Sequence, residues 1–229
     1  EAGKYYKIAA DKGDIDAMHS YALMLSMDPK TVKESIRYYK MAIDKGNTLS
    51  MNNYATMLST GEGVPQDKRE AARLYKLSAD NGNATAMSNY GIILRDGDGV
   101  PIDKKEAARY FQMAIQNGNL KSIYNYGVML MKGDGIPMNK PEAARYFKMG
   151  IEKGSDDSMF AYATMLHDGD GVPMNKKESS RYYKMAIEKG NTLAMNNYAL
   201  MLSAGDGIPA DKKEAARLYK MSADQGDVV

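Results

Sequence analysis

Cysteine is absent from the 229 residues, which excludes disulfides, thiolate metal sites and a cysteine nucleophile. No apolar run approaches the length of a membrane-spanning helix and no signal peptide opens the chain, so we expect no membrane partner. The lack of cysteine is compatible with a reducing compartment, and we expect a cytoplasmic location. Because the first residue is Glu1 rather than Met, we expect a fragment of a longer chain, whose targeting segments could lie elsewhere.

An excess of either charge is also lacking. Lysine and arginine number 31 against 29 aspartates and glutamates, for a formal charge of +2. Nucleic-acid-binding solenoids are expected to carry a basic excess or aromatic side chains aligned for stacking. The balance of charge therefore predicts no nucleic-acid partner.

The chain is instead rich in regular spacing. Prolines recur every 36 residues, at Pro29, Pro65, Pro101, Pro137, Pro173 and Pro209. Glycines keep the same step, at Gly46, Gly82, Gly118, Gly154, Gly190 and Gly226. A fixed period of this length is the signature of a repeat architecture.

One period, 83–118, contains two helical patterns. Ala86, Met87, Tyr90, Gly91 and Leu94 form one apolar stripe at helical spacing, and Ala107, Tyr110, Phe111 and Ala114 form a second. Between them, Gly97, Gly99 and Pro101 predict a loop. The small side chains Ala86, Gly91 and Ala107 predict a close approach of the helices.

Each second helix is preceded by a pattern typical of a capping box, in which a polar residue is followed three positions later by glutamate. The pairs are Thr31 and Glu34, Asp67 and Glu70, Asp103 and Glu106, Asn139 and Glu142, Asn175 and Glu178, and Asp211 and Glu214. Six such caps define six helix starts.

Because one helix pair cannot bury its apolar stripes alone, stacked pairs are required. The sequence predicts a single all-α domain, a right-handed α/α superhelix of about six helix-pair repeats. We expect a leading second helix at 1–13 and repeats at 14–46, 47–82, 83–118, 119–154, 155–190 and 191–226.

The order Ala-x-x-x-Tyr-Gly-x-x-Leu, Gly-x-Gly-Val-Pro and Glu-Ala-Ala-x-Tyr-Phe-x-x-Ala resembles the Sel-1-like repeat, a relative of the tetratricopeptide repeat. The loop motif is specific, as in Gly-Asp-Gly-Val-Pro at 97–101. Two positions depart from the family pattern: Tyr90 stands where leucine is usual, and Leu94 where tyrosine is frequent. Ala55 stands where glycine is usual. The resemblance implies an α/α superhelix that acts as an adaptor or scaffold, and it implies no catalytic residues.

Comparison of the repeats with one another shows which positions vary. Four positions of the first helix, represented by Thr85, Ser88, Ile92 and Arg95, differ from repeat to repeat and share one helix face. In tetratricopeptide-like superhelices the corresponding face lines the concave groove. The variation indicates either a binding surface or relaxed surface drift.

Beside that face a column of asparagines resembles the ladder with which some tetratricopeptide superhelices hold an extended peptide. An amide offers both a donor and an acceptor to a peptide backbone. The alternative is that these amides bond to the backbone of a neighbouring helix. The candidate partner-binding residues are Asn53, Asn89, Asn125, Asn197, Ser88, Tyr124, Phe160, Ile92, Arg95 and Met131.

Catalytic and metal sites are not predicted. The 19 methionines mostly fall in fixed positions, which favours core packing over a soft-metal site. The acidic loops, such as 96–99, fail the spacing of a calcium-binding EF-hand. His19 and His167 lie four repeats apart, so they cannot form a pair.

We therefore expect a non-catalytic scaffold or adaptor that needs no cofactor and binds a partner protein or peptide in a concave groove. Two alternatives stay open. One is a surface or periplasmic module that binds glycan or peptidoglycan, and the other is a regulatory region of an enzyme whose catalytic domain lies outside this sequence.

Overall fold

The structure is a computed structural model that describes residues 1–225. Thirteen α-helices and no strand occur within these residues, which confirms the predicted all-α class. The helices are α1 (Ala2–Asp11), α2 (Ile15–Ser26), α3 (Val32–Asp44), α4 (Thr48–Thr60), α5 (Lys68–Asp80), α6 (Ala84–Asp96), α7 (Lys104–Gln116), α8 (Leu120–Lys132), α9 (Lys140–Glu152), α10 (Asp156–Asp168), α11 (Lys176–Glu188), α12 (Thr192–Ala204) and α13 (Lys212–Asp224). The glycine predicted at Gly226 lies outside the described residues.

The helices form two compact units. The first unit, Glu1–Asn119, contains α1 to α7, and the second, from Leu120 onward, contains α8 to α13. Within each unit the first helix of a repeat packs against the second, as α6 packs against α7 and α10 against α11. Successive pairs also pack on each other, as α5 does on α6 and α11 on α12.

The core includes the residues predicted from the apolar stripes of the repeat 83–118. In the repeat of α6 and α7, all nine predicted core residues are buried. The fixed methionines are buried too, which confirms core packing: Met51, Met57, Met87, Met129, Met159, Met165, Met195 and Met201. An added Cβ on Gly91 would lie 2.8 Å from Cε1 of Phe111, so glycine permits the close approach of α6 and α7.

The fixed tyrosines of the first helices meet aromatic side chains of the second helices. In the first unit, the ring of Tyr90 lies 4.9 Å from that of Tyr110 in an edge-to-face arrangement. In the second unit, the rings of Tyr126 and Tyr146 lie 4.9 Å apart with the same type of geometry. Such pairs stabilise a fold beyond the area that they bury.

The predicted helix caps form at five of the six positions. Asp67, Asp103, Asn139, Asn175 and Asp211 each accept a hydrogen bond from the backbone N–H three residues later. At Thr31 the predicted helix start is confirmed, but the predicted side-chain cap is wrong, because the hydroxyl instead donates to the carbonyl of Leu25 at 2.7 Å.

The second half of the predicted capping box, the bond from the cap residue to the glutamate, does not form at Asp103 and Glu106. In a capping box the glutamate side chain accepts from the backbone N–H of the cap residue. Here the N–H of Asp103 already donates to the carbonyl of Leu94 at 2.8 Å, across the loop of its own repeat. Glu106 is therefore left to pair with Arg109, at 2.6 Å.

The acidic loop after α6 fastens its repeat to the preceding one. The carboxylate of Asp98 forms an ion pair with the ammonium group of Lys68 at 2.7 Å, and Lys68 is the first residue of α5. Beside it, Gly99 has a φ of +82°, and an added Cβ would lie 2.5 Å from the carbonyl oxygen of Lys68. The second glycine of the loop is thus required both by its backbone conformation and by the close contact between repeats.

None of the thirteen helices, all of which lie within residues 1–225, is long and apolar enough to cross a bilayer.

Candidate functional site

The predicted partner-binding residues lie on the first helices of both units. Asn53 and Asn89 lie on α4 and α6 of the first unit, whereas Asn125 and Asn197 lie on α8 and α12 of the second. All four amides are half-buried.

In the first unit the asparagine side chains bond to one another. Nδ2 of Asn89 donates to Oδ1 of Asn52 at 3.0 Å, and Nδ2 of Asn52 donates to Oδ1 of Asn53 at 3.2 Å. These bonds join α4 to α6 through side chains rather than through the backbone of a neighbouring helix. Asn89 thus has a structural role, and its carbonyl oxygen is still available to a ligand.

In the second unit the same column behaves differently. Nδ2 of Asn197 donates to the hydroxyl of Tyr183 at 3.3 Å. The structure shows no hydrogen bond from the side chain of Asn125 to any other described residue of the second unit, 120–225. A half-buried amide without an internal partner has both its donor and its acceptor available to a ligand.

The position represented by Ser88 lies deeper than its neighbours. Ser88 is only 3% exposed, so a partner would reach this part of α6 over the surrounding side chains. In the second unit the equivalent residues Tyr124 and Phe160 are larger and half-buried, whereas Asn196 is buried. The ring of Tyr124 lies 6.0 Å from that of Phe147, and the ring of Phe160 lies 6.1 Å from that of Tyr183.

Part of the variation at the Ile92 position reflects packing within the chain. Where the second helix carries Tyr75 or Tyr183, the first helix carries Thr56 or Thr164, and the hydroxyl groups bond at 2.8 and 3.0 Å. Where the second helix instead carries phenylalanine, as at Phe111, the first helix carries an aliphatic residue, although the aliphatic Leu200 also precedes Tyr219 by 19 residues. Sequence comparison of the repeats missed this relationship, although the constant separation of 19 residues could have revealed it.

The position represented by Arg95 carries a cation in two repeats. Nε and Nη2 of Arg95 donate to Asp96 at 2.7 and 2.9 Å. In the second unit the equivalent position is occupied by Met131 on α8 and by His167 on α10. Both side chains are half-buried. Sequence reasoning did not place His167 among the site residues.

Two clefts in the second unit are lined by residues of this face. The first has a volume of about 440 Å³ and lies between the starts of α8 and α10. Its walls include Tyr124, Asn125, Leu120, Lys121 and Asp157. Burial, followed by the charge of Asp156, raises the pKa of the Asp157 carboxyl.

The second cleft has a volume of about 380 Å³ and is formed by α10, α11 and α12. Thr164, Tyr183 and Asn197 provide polar groups, and Leu200 and Met201 provide apolar surface. Leu200 is 59% exposed, so this apolar surface is accessible to a partner.

The charged side chains at the edge of the second cleft contact one another. Asp206 accepts from Lys176 at 2.6 Å and contacts Nε2 of His167 at 2.8 Å. Hydrogen bonds from Lys176, and then from His167, lower the pKa of the Asp206 carboxyl. Burial raises the pKa of the Tyr183 phenol, which stays protonated as a hydrogen-bonding group. Across residues 1–225, no group of three or more histidine, cysteine, aspartate or glutamate side chains could hold a metal ion.

The repeat pattern matches a known family along the chain. The family model described as the Sel1 repeat matches residues 1–14, 15–47, 48–83, 84–119, 120–155, 156–191 and 192–227. The chain belongs to the Sel1 repeat family. This finding confirms the resemblance that the loop and helix motifs predict, and Sel1-repeat folds generally serve as protein–protein interaction scaffolds and are typically non-catalytic.

Solved Sel1-repeat structures share the fold. One is c5321 from uropathogenic Escherichia coli, a protective antigen, with 25% identity and a TM-score of 0.84. The alignment covers 98% of this chain and 49% of the E. coli protein, so the chain spans about half the length of that relative. Another is a Sel1 repeat protein from Oxalobacter formigenes, with 19% identity and a TM-score of 0.81. The alignment covers 96% of this chain and 96% of that one.

A third similar structure is pilF from Pseudomonas aeruginosa, with 16% identity, a TM-score of 0.66 and coverage of 96% of this chain and 95% of that one. At these identities the Oxalobacter and Pseudomonas structures show the fold alone. Together the structures confirm the predicted all-α repeat fold. The comparison with curated protein sequences gives no match.

Proposed function

We propose that this Sel1-repeat chain is a non-catalytic scaffold that binds an extended segment of a partner protein along its first helices. The observation that carries the proposal is the cleft between α8 and α10. Tyr124 and Asn125, two residues singled out by comparing the repeats, line it together.

The chemistry of this cleft suits a peptide. Asn125 offers one amide donor and one carbonyl acceptor, which match the C=O and N–H groups of an extended backbone. Tyr124 and the exposed Leu120 offer apolar surface for a side chain of the ligand. Aromatic residues in such pockets often dominate binding free energy.

The second cleft extends the same surface toward α12. Leu200 supplies apolar area, and the amide oxygen of Asn197 is available because the hydrogen bond to Tyr183 uses only Nδ2. An extended segment spans at most about 3.3–3.6 Å per residue, so contact with successive first helices requires several residues of ligand.

The side chains at the second cleft support a binding role over catalysis. Both ring nitrogens of His167 contact carboxylates, so this histidine has no nitrogen available as a general base. The hydroxyl of Thr164 bonds to Tyr183 and not to a basic group.

The proposal can be tested with peptides selected from a random display library against the intact chain. We expect Tyr124→Ala and Asn125→Ala each to weaken a selected peptide at least about tenfold, measured by calorimetry. Arg145→Ala is the matched control, because Arg145 is exposed on α9 and pairs with Glu142 of the same helix. Circular dichroism checks that each variant keeps its helices.

An equal loss in the control variant, or unchanged affinity in both cleft variants, would contradict the proposal. Selection of no peptide, together with binding of a peptidoglycan fragment, would overturn it in favour of a glycan-binding module.

A further inference from the structure

His167 contacts two carboxylates, one through each ring nitrogen. Nδ1 lies 2.6 Å from Oδ1 of Asp168, and Nε2 lies 2.8 Å from Oδ2 of Asp206. Asp168 ends α10, whereas Asp206 belongs to the loop after α12. The imidazole ring therefore joins two successive repeats within the second unit.

These contacts require a proton on each ring nitrogen. A neutral imidazole has one N–H and one acceptor lone pair, so it can donate to only one carboxylate. In the neutral form, the other nitrogen would direct its lone pair at a carboxylate oxygen. The observed geometry is consequently that of the imidazolium ion.

The charged groups around the ring come from every neighbouring element. From α11, Lys176 donates to the other oxygen of Asp206 at 2.6 Å. In the loop after α10, Asp170 is held by Lys140 of α9 at 2.7 Å. The lining that α12 contributes to the cleft is uncharged.

We propose that His167 is a proton-operated latch that ties the end of α10 to the loop after α12 and so sets the shape and charge of the cleft between them. When His167 is protonated, its charge and that of Lys176 balance the carboxylates of Asp168 and Asp206. Loss of the proton breaks one of the two contacts and leaves a net negative charge. The effect on partner binding rests on the proposed function, whereas the latch itself does not.

The direction of titration agrees with this geometry. The hydrogen bond with Asp168, followed by that with Asp206, raises the pKa of His167 above its ordinary value despite partial burial. The latch is closed at acidic pH and opens as the pH rises through that raised pKa. His19 is an internal control, because its Nδ1 bonds to the hydroxyl of Ser50 rather than to a carboxylate, and burial lowers its pKa.

The chain contains a permanent version of the same cation. Arg95 has the position of His167 in the first unit and binds Asp96 through two nitrogens. A guanidinium ion does not lose its proton in the accessible pH range. The contacts of residue 167 should therefore not depend on pH in the variant His167→Arg.

The test is an NMR titration of the intact chain from about pH 5 to about pH 9, in which only two histidine rings titrate. We expect His167 to titrate at higher pH than His19. The side-chain amide of Asn197, which lines the cleft, should shift with the midpoint of His167. In His167→Arg that shift should disappear.

Two matched variants test the assignment of the contact. Asp206→Asn should weaken proton binding to His167 about tenfold. Asp170→Asn changes the equivalent loop position of the preceding repeat and should leave His167 unchanged. Circular dichroism confirms that both variants fold.

The latch is overturned if His167 titrates at or below His19, or if Asp206→Asn does not alter its titration. It is also overturned if the Asn197 amide does not respond to the protonation of His167. None of these measurements uses a ligand. Failure of peptide binding with a titrating latch would therefore count against the proposed function alone.

Discussion

The amide of Asn89 donates a hydrogen bond to the amide oxygen of Asn52 at 3.0 Å and so joins α6 to α4. Asn125 has the position of Asn89 in the next repeat, yet its side chain bonds to no other described residue of the second unit, 120–225. Two members of one sequence column thus differ in role. This difference allows stability and binding to be separated by experiment.

Asn89→Ala should lower the free energy of unfolding by about 1–2 kcal/mol. The reason is that Oδ1 of Asn52, a residue that is only 8% exposed, loses its hydrogen-bond donor. Asn125→Ala should change it by less than about 0.5 kcal/mol, because no internal bond is removed. Urea denaturation followed by circular dichroism measures both values. Equal destabilisation by the two substitutions would contradict the assigned roles.

Gly99→Ala should destabilise the first unit by at least about 3 kcal/mol, through backbone strain together with a clash against Lys68. Gly118→Ala is the matched control, since its φ is +83° but no atom lies within 4 Å of an added Cβ. There we expect only the conformational cost, about 1–2 kcal/mol. Thermal unfolding of the two variants would refute this explanation if their losses were the same.

The hydroxyl bond between Thr56 and Tyr75 should appear as a coupling free energy of about 0.5–1.5 kcal/mol. A double-mutant cycle with Thr56→Val and Tyr75→Phe measures it. The double variant reproduces the apolar pairing found at Ile92 and Phe111, so it should be less destabilised than the two single losses summed. A coupling near zero would mean that the covariation has another cause.

The stability of the second unit should depend on pH through His167. Its pKa is raised in the folded state by Asp168 first and Asp206 second. The stabilisation is therefore complete below the unfolded pKa, near 6.5, and is lost as the pH rises through the higher folded value. His19, whose pKa burial lowers, acts in the opposite direction.

Comparison of the wild type with His167→Arg removes the contribution of His19, because both proteins contain it. We expect the thermal midpoint of the wild type to fall relative to that of the variant as the pH increases from about 6 to about 9. A constant difference between the two midpoints across this range would show that His167 contributes no pH-dependent stability.

The sequence predicts the fold well because the decisive signals are local. Prolines and glycines recur at fixed spacing. At five of the six predicted caps, the side chain bonds to the backbone N–H only three residues later. The failure at Thr31 has a local cause as well. This repeat lacks the glycine-rich loop, so the hydroxyl meets the carbonyl of Leu25 instead.

The site is harder to predict because its contacts join residues that are distant in sequence. Asp206 lies 39 residues from His167, and Asn52 lies 37 residues from Asn89. Variation between repeats alone does not separate binding from packing, as Thr56 and Tyr75 illustrate. The predicted partner-binding residues and repeat boundaries stay predictions.

The position of a bound peptide tests the central claim most directly. A display-selected peptide carrying a photoreactive residue can be crosslinked to the intact chain, and the modified residues identified by mass spectrometry. We predict crosslinks to the first helices α8, α10 and α12, concentrated around Tyr124, Asn125 and Leu200. Crosslinks confined to the outer residues of α9 and α11, such as Arg145, would contradict the account.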